Sequence, residues 1–168
     1  GLFWLRDDFR ITKNYGLADA TKNHDQVVVF YLYKNSTYKN QEAQKWWLSK
    51  SLINFQKKLN EYNISLEILK TDSFQSFFNK LVKKKDISIY WNKVYEPDYL
   101  KFDEYLLKKL TTANIPFKVC KGNVLNEIGE IKKNDGTPFK VFTPFWRNAE
   151  KHYIEKIPSK EKTITKCL

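Results

Sequence analysis

Val27–Tyr33 (VVVFYLY) is a run of β-branched, aromatic and aliphatic side chains with no charge and no turn former. Such a run reads as a strand in the middle of a sheet, packed on both faces. The segments around it fit that demand. Leu2–Leu5, Ile64–Leu69, Ile87–Trp91 and Ile115–Cys120 are further strand-like runs. Between them the apolar period lengthens to that of a helix. Leu48, Leu52, Phe55, Leu59 and Tyr62 recur at steps of four and three within Gln41–Tyr62. Phe74, Phe77, Phe78, Leu81 and Val82 form a second stripe behind Asp72, a candidate cap. Pro97 can open a third helix, with Tyr99, Phe102, Leu106, Leu110 and Ala113 on its apolar face. Gly16–Asn23 carries a weaker signal for a short helix.

Strands alternating with helices pair in parallel through right-handed crossovers. Residues 1–122 therefore predict an α/β fold, a Rossmann-like, doubly wound, five-stranded parallel sheet in the order 3-2-1-4-5 with helices on both faces. Ligands of such sheets sit beyond the carboxyl ends of the strands, where the order reverses between strands one and four. The loops after Leu5 and Trp91 then lie side by side. Beyond Gly122 the pattern loosens. Lys132–Pro138 is turn-rich, with Asp135-Gly136 as a tight turn, and Val141–Arg147 is aromatic without a core of its own. A helix is expected from near Pro144 to about Lys156, then a charged, disordered tail from Pro158 to Leu168.

The common phosphate and catalytic motifs are absent. The five glycines (1, 16, 122, 129 and 136) make neither G-x-G-x-x-G nor G-x-x-x-x-G-K-[ST]. That excludes an ordinary dinucleotide dehydrogenase or P-loop enzyme. No G-x-S-x-G and no H-E-x-x-H occurs. His24 and His152 are too few and too scattered for a metal site, so no metal is expected. Cys120 and Cys167 are no disulfide framework, which suits a reducing cytoplasm. Cys120, beside Val119, reads as a small buried hydrophobe. Neither a membrane-spanning run nor a signal peptide is visible. Thirty basic against nineteen acidic residues give +11, which attracts polyanions.

Four motifs have two readings each. Asp7-Asp8, at a strand end, is either an acid–base pair or, with better odds, a loop pairing with Arg6 or Arg10. Lys83-Lys84-Lys85 either touches phosphate or, more simply, solvates a helix end. Trp46-Trp47 lies off the main stripe of its helix. It marks either a helix buried on two sides or a tryptophan facing the cleft or a second domain. Trp91-Asn92 either holds a flat, hydrogen-bonding ligand or packs as an ordinary strand end.

Five blocks, in order, carry a family resemblance. Phe3-Trp4-Leu5-Arg6-Asp7-Asp8-Phe9-Arg10, with Asn14 following, resembles the W-F-R-x-D-L-R opening of DNA photolyases and cryptochromes. Lys45-Trp46-Trp47-Leu48 with Ser51-Leu52 resembles their [RK]-W-W-L-x-x-S-L helix. Ile89-Tyr90-Trp91-Asn92 with Tyr95-Glu96-Pro97 resembles V-Y-W-N-x-x-Y-E-P. Gly122-Asn123 with Leu125 resembles G-N-x-L, and Val141–Arg147 resembles V-F-T-P-F-W.

The resemblance implies an N-terminal α/β domain over 1–122 that binds an antenna chromophore. It makes 123–168 the start of the linker to a helical domain that holds FAD and UV-damaged DNA. No catalytic residue is expected within these 168 positions. The implied antenna is of the methenyltetrahydrofolate or the deazaflavin/flavin type. Folate binders typically carry Asn-Glu where Asp98-Tyr99 stands, and deazaflavin binders often carry an acid where Val94 stands, so both types stay open. The residues expected to line the crevice are Arg6, Phe9, Arg10, Tyr33, Lys34, Trp46, Asn92, Tyr95, Glu96 and Asp98. Glu96 either bonds the ligand ring or caps the helix that Pro97 opens. Two further readings are a free-standing nucleotide-binding α/β module and a basic nucleic-acid module that stacks bases on its aromatics.

Overall fold

The computed structural model describes residues 1–155, 166 and 167. Five strands, β1 (Leu2–Leu5), β2 (Val28–Tyr33), β3 (Ser65–Lys70), β4 (Ile89–Asn92) and β5 (Phe117–Cys120), form one sheet. All pairs are parallel and the order is β3-β2-β1-β4-β5, as the alternation predicts. The helices are α1 (Tyr15–Asn23), α2 (Glu42–Asn60), α3 (Phe74–Leu81), α4 (Pro97–Thr112) and α5 (Phe142–Glu155), with a short 3-10 turn over Asn35–Tyr38. One compact unit comprises Gly1–Gly122 together with Cys167. A second begins at Asn123 and contains α5.

Alternation along the central strands divides the core in two. Phe3, Leu5, Val29 and Tyr31 point to one face, against Leu17 and Ala20 of α1 and Leu52, Phe55 and Leu59 of α2. Trp4, Phe30, Leu32 and Trp91 point to the other, against Phe78 and Leu81 of α3 and Leu106 and Leu110 of α4. Each large apolar side chain fully buried this way contributes about 1.5–3 kcal/mol. Trp4 meets Phe74, Phe78 and Phe102 edge-on, at centroid distances of 5.2, 4.9 and 5.8 Å, the geometry that the ring quadrupole favours.

Several boundaries move. Ser73, not Asp72, caps α3: its Oγ accepts from Ser76 N at 3.0 Å. The first helical residue is Phe74, and only the residue directly before it can reach the free amides of the first turn. Ala113 is exposed, because α4 ends at Thr112 and Asn114 then takes a left-handed φ of 52°. Tyr62 lies past the end of α2 yet still packs on the core. The weakly signalled first helix forms, and Asn14 caps it through Oδ1, accepting from Leu17 N at 3.1 Å. Helix α5 starts two residues before Pro144, at Phe142. In the tail expected to be disordered, Cys167 is buried. Its N–H donates to Tyr62 O at 2.9 Å and its carbonyl accepts from Asn63 Nδ2 at 3.0 Å. Lys156, Pro158–Thr165 and Leu168 lie outside the described residues. Cys120 is buried, its thiol 3.5 Å from Asp19 Oδ2.

Gly16 is a tight point of the first unit, between α1, β1 and β4. A Cβ there would stand 2.6 Å from Asn92 Oδ1 and 2.8 Å from Phe3 Cε2. Gly16→Ala is expected to destabilise the chain by about 1–3 kcal/mol, the usual range for forced overpacking. Urea unfolding measures it, and an unchanged midpoint would mean that strand β4 yields freely.

Candidate functional site

The site begins where β1 and β4 end. Arg6, one residue past β1, is buried and paired with Asp103 of α4. Its Nη2 meets Oδ1 and its Nη1 donates to Oδ2 at 3.3 Å. The same Oδ2 accepts from Trp91 Nε1 at 3.2 Å. The guanidinium lies 4.0 Å over the Trp4 ring and 5.3 Å from that of Tyr99. Burial draws its pKa down, and Asp103 pulls it back. Arg6 Nε is buried with no hydrogen-bond partner among the described residues.

A second polar knot closes β4. Asn92 donates from Nδ2 to Asn14 Oδ1 at 2.8 Å and to Asp8 Oδ2 at 3.3 Å, and accepts from Gly16 N at 2.9 Å. Asp8 holds Arg10 through two 2.7 Å bonds, to Nε and Nη2. The loop reading of Asp7-Asp8 is therefore the right one for Asp8, with Arg10 as its partner. Asn92 has its amide donors and carbonyl engaged by protein, and Trp91 is fully buried. These two form the floor of the crevice.

Tyrosines and carboxylates stand above that floor. Tyr31 OH lies 3.0 Å from Tyr38 OH, and Tyr38 stacks on Tyr33 at 5.6 Å with 6° between the planes. Burial first, and that hydrogen bond second, push the Tyr31 phenol far up. Burial and then the nearby Asp7 push Tyr99 up to about 12. The Asp7 carboxyl is itself raised, by desolvation first and by Glu96 second, with Arg6 opposing. At neutral pH these phenols are therefore uncharged rings with hydroxyls. Beyond the ends of β2 and β3 a cavity of about 450 Å³ is lined by Tyr33, Ser36, Lys70, Thr71 and Asp72.

The remaining expected residues divide. Phe9 packs edge-on against Phe55 at 5.9 Å. Lys34 sets its Nζ 4.6 Å from the Phe74 ring centre. Tyr95 OH accepts from Gly122 N at 3.4 Å. Glu96 occupies the N-cap position of α4, but its side chain makes no capping hydrogen bond and is exposed, as is Asp98 in the first turn. Trp46 is 55% and Trp47 67% exposed. They meet edge-on at 5.3 Å, so α2 is not buried on two sides. Asp103, Tyr38 and Tyr99 were not among the expected site residues. Asp103 had one signal, a carboxylate beside Phe102 on an apolar helix face, where a buried acid needs a cation.

Two outcomes follow from this geometry. Asp103→Ala leaves Arg6 buried and unpaired and is expected to cost about 3–5 kcal/mol, whereas Arg6→Met/Asp103→Leu recovers most of that loss. Denaturant titration of the three chains decides it. For Asp7, a raised folded-state pKa means that the unfolded chain loses its proton first. Stability then falls as pH rises from the ordinary carboxylate value through the raised one. Asp7→Asn is expected to match the parent at about pH 3 and to unfold at higher urea at about pH 7. Coincident curves at both would contradict it.

Comparison with known proteins places this geometry. The family model described as DNA photolyase matches residues 1–162. A deoxyribodipyrimidine photo-lyase of Agrobacterium fabrum is 27% identical over 149 residues, covering 89% of this chain and 31% of that protein. Cryptochrome-2 of Arabidopsis thaliana is 26% identical over 159 residues, covering 93% and 26%. The crystal structure of a bacterial class III photolyase from Agrobacterium tumefaciens superposes with a TM-score of 0.83 at 26% identity, covering 99% of this chain and 34% of that one. The chain thus spans a quarter to a third of the length of these relatives. With the five motif blocks, the sheet order and a family match over residues 1–162 in agreement, the chain belongs to the DNA photolyase family.

Proposed function

We propose that residues 1–122 are the antenna-binding domain of a light-driven DNA repair enzyme, and that 123–168 begin the linker to its helical domain. The observation that carries this reading is the family match across both segments. The residues present fit a flat, hydrogen-bonding ring of the folate or the deazaflavin/flavin type. Tyr33, Tyr38 and Tyr99 offer ring faces and hydroxyls, and Asp7, Glu96 and Asp98 offer acceptors at the same strand ends. The neighbouring cavity of about 450 Å³ lies within the range of small-molecule sites. Bound there, an antenna would absorb light and pass the energy to reduced FAD in the helical domain, which repairs cyclobutane pyrimidine dimers in UV-damaged DNA. The protein's own part is positional. The Arg6–Asp103 and Asn92–Asn14 knots hold the crevice floor rigid, which preserves the distance and angle that energy transfer requires.

A second reading within the family is a cryptochrome-type photoreceptor. It is supported by the likeness to the Arabidopsis cryptochrome over 93% of the chain. The decisive experiment is the absorption spectrum of the whole protein that contains this chain, followed by a light-driven repair assay on dimer-containing DNA. Flavin bands plus a separate near-UV or blue antenna band are expected, with dimers split in the light. Tyr38→Ala with Glu96→Gln should remove the antenna band and leave the flavin bands. Flavin bands without repair favour the photoreceptor, and a colourless protein sinks both readings.

A further inference from the structure

A lysine and an aspartate share one cavity without pairing. Strands β2 and β3 end side by side, and Thr71 N donates to Tyr33 O at 3.0 Å just past their last rung. There lies the cavity of about 450 Å³, lined by Tyr33, Ser36, Lys70, Thr71 and Asp72. Lys70 and Asp72 make no ion pair, with each other or elsewhere, among the described residues. Nor is Asp72 spent on α3, because Ser73 supplies the cap. Lys34 follows Tyr33 and sets its Nζ 4.6 Å from the Phe74 ring centre, so a second cation stands by the same loop. The 3-10 turn over Asn35–Tyr38 links this cavity to the crevice. Its Ser36 lines the cavity, while its Tyr38 stacks on Tyr33 and meets Tyr31 OH at 3.0 Å. Tyr38 also lies within electrostatic reach of Tyr99, beside Asp7.

We infer that this cavity takes the tail of the crevice ligand, and that the tail is a hydroxylated chain ending in a phosphate, as in a flavin nucleotide. The inference rests on the antenna reading for the ring, and adds the tail and the residues that select it. Each polar group of the lining has a partner in such a chain. A phosphate carries about −1.5 to −2 charge at pH 7, which a lysine ammonium answers as a point charge. The hydroxyls of the chain can donate to the Asp72 carboxylate and exchange hydrogen bonds with Ser36 and Tyr33. A glutamyl tail of the folate type is the weaker match. Its paired carboxylates set like charges beside Asp72, and it has no hydroxyl to donate. An apolar tail fits worst, because it would cover Lys70 and Asp72 and give neither a partner.

The test dialyses the whole protein that contains this chain, its own FAD retained and the crevice emptied, against riboflavin, FMN or methenyltetrahydrofolate, and measures the bound ring by absorbance. FMN is expected to bind about tenfold or more tighter than riboflavin, the range of a hydrogen bond to a charged group. Lys70→Gln should remove that advantage and leave riboflavin within about twofold, since riboflavin brings no charge for the lysine to meet. Asp72→Ala should weaken riboflavin itself by about threefold to tenfold. Lys57→Gln, which removes the same charge from α2, should keep FMN within about twofold. Equal affinity for FMN and riboflavin in the parent would overturn the tail inference and leave the ring reading standing. Equal losses of FMN in Lys70→Gln and Lys57→Gln would do the same, by assigning the effect to net charge. Methenyltetrahydrofolate held more tightly than FMN, and weakened by Lys70→Gln, would overturn the phosphate in favour of a glutamyl tail. A protein that retains none of the three rings would overturn the ring reading and this inference together.

Discussion

The buried pair of Arg6 and Asp103 sets the geometry of the crevice. Taking two charges out of water costs several kcal/mol per ion, and the cost is offset only where geometry is good and the remaining lone pairs are used. Here the geometry is good, and of the buried polar groups only Arg6 Nε is left without a partner among the described residues. Asp103 accepts from two guanidinium nitrogens and from the Trp91 indole. The cation rests on the face of Trp4. Since Arg6 follows the central strand and Asp103 sits two turns into α4, the pair fixes which turn of the helix meets the sheet. Tyr99, four residues earlier on the same helix face, is placed by that register. An apolar replacement could pack as well, but would not select the turn.

The Asn92 knot does the same on the other side. One side-chain amide joins β4, the loop after β1 and the start of α1, and Gly16 is the residue that lets the backbone come close enough. Two polar knots thus flank the strand-order reversal, while the rest of the sheet is held by apolar packing. This division has a functional consequence. Asn92 spends its amide donors and carbonyl on the protein, whereas Arg6 keeps Nε without a partner among the described residues. Phenols and carboxylates stand one layer out.

The sheet and its order were legible because they depend on short-range signals. Apolar runs, helical stripes and the parallel-crossover rule need only neighbouring residues. The pairing of Arg6 with Asp103, 97 residues apart, leaves no such local trace. Tyr38 was hidden for another reason. It sits in a 3-10 turn and stacks on Tyr33, a contact that no propensity predicts. Tyr99 was read as one more member of a core stripe, and its place beside Arg6 and Asp7 separates it from Phe102. The cap at Ser73 rather than Asp72 shows the finest limit. Both residue types cap equally well, and one residue of boundary decides between them.

The same topology separates the two surfaces by charge. Every crossover helix starts at the carboxyl end of the sheet and finishes at the amino end, so the helix N-termini gather around the crevice. There the charges are mixed: Asp7, Glu96 and Asp98 stand near Arg10 and Lys34, a composition that can orient a polar ring without drawing in bulk polyanion. At the far end the lysines of α3 and α4 face few acids. The positive ends of the helix dipoles thus face the crevice, and their negative ends face the lysines.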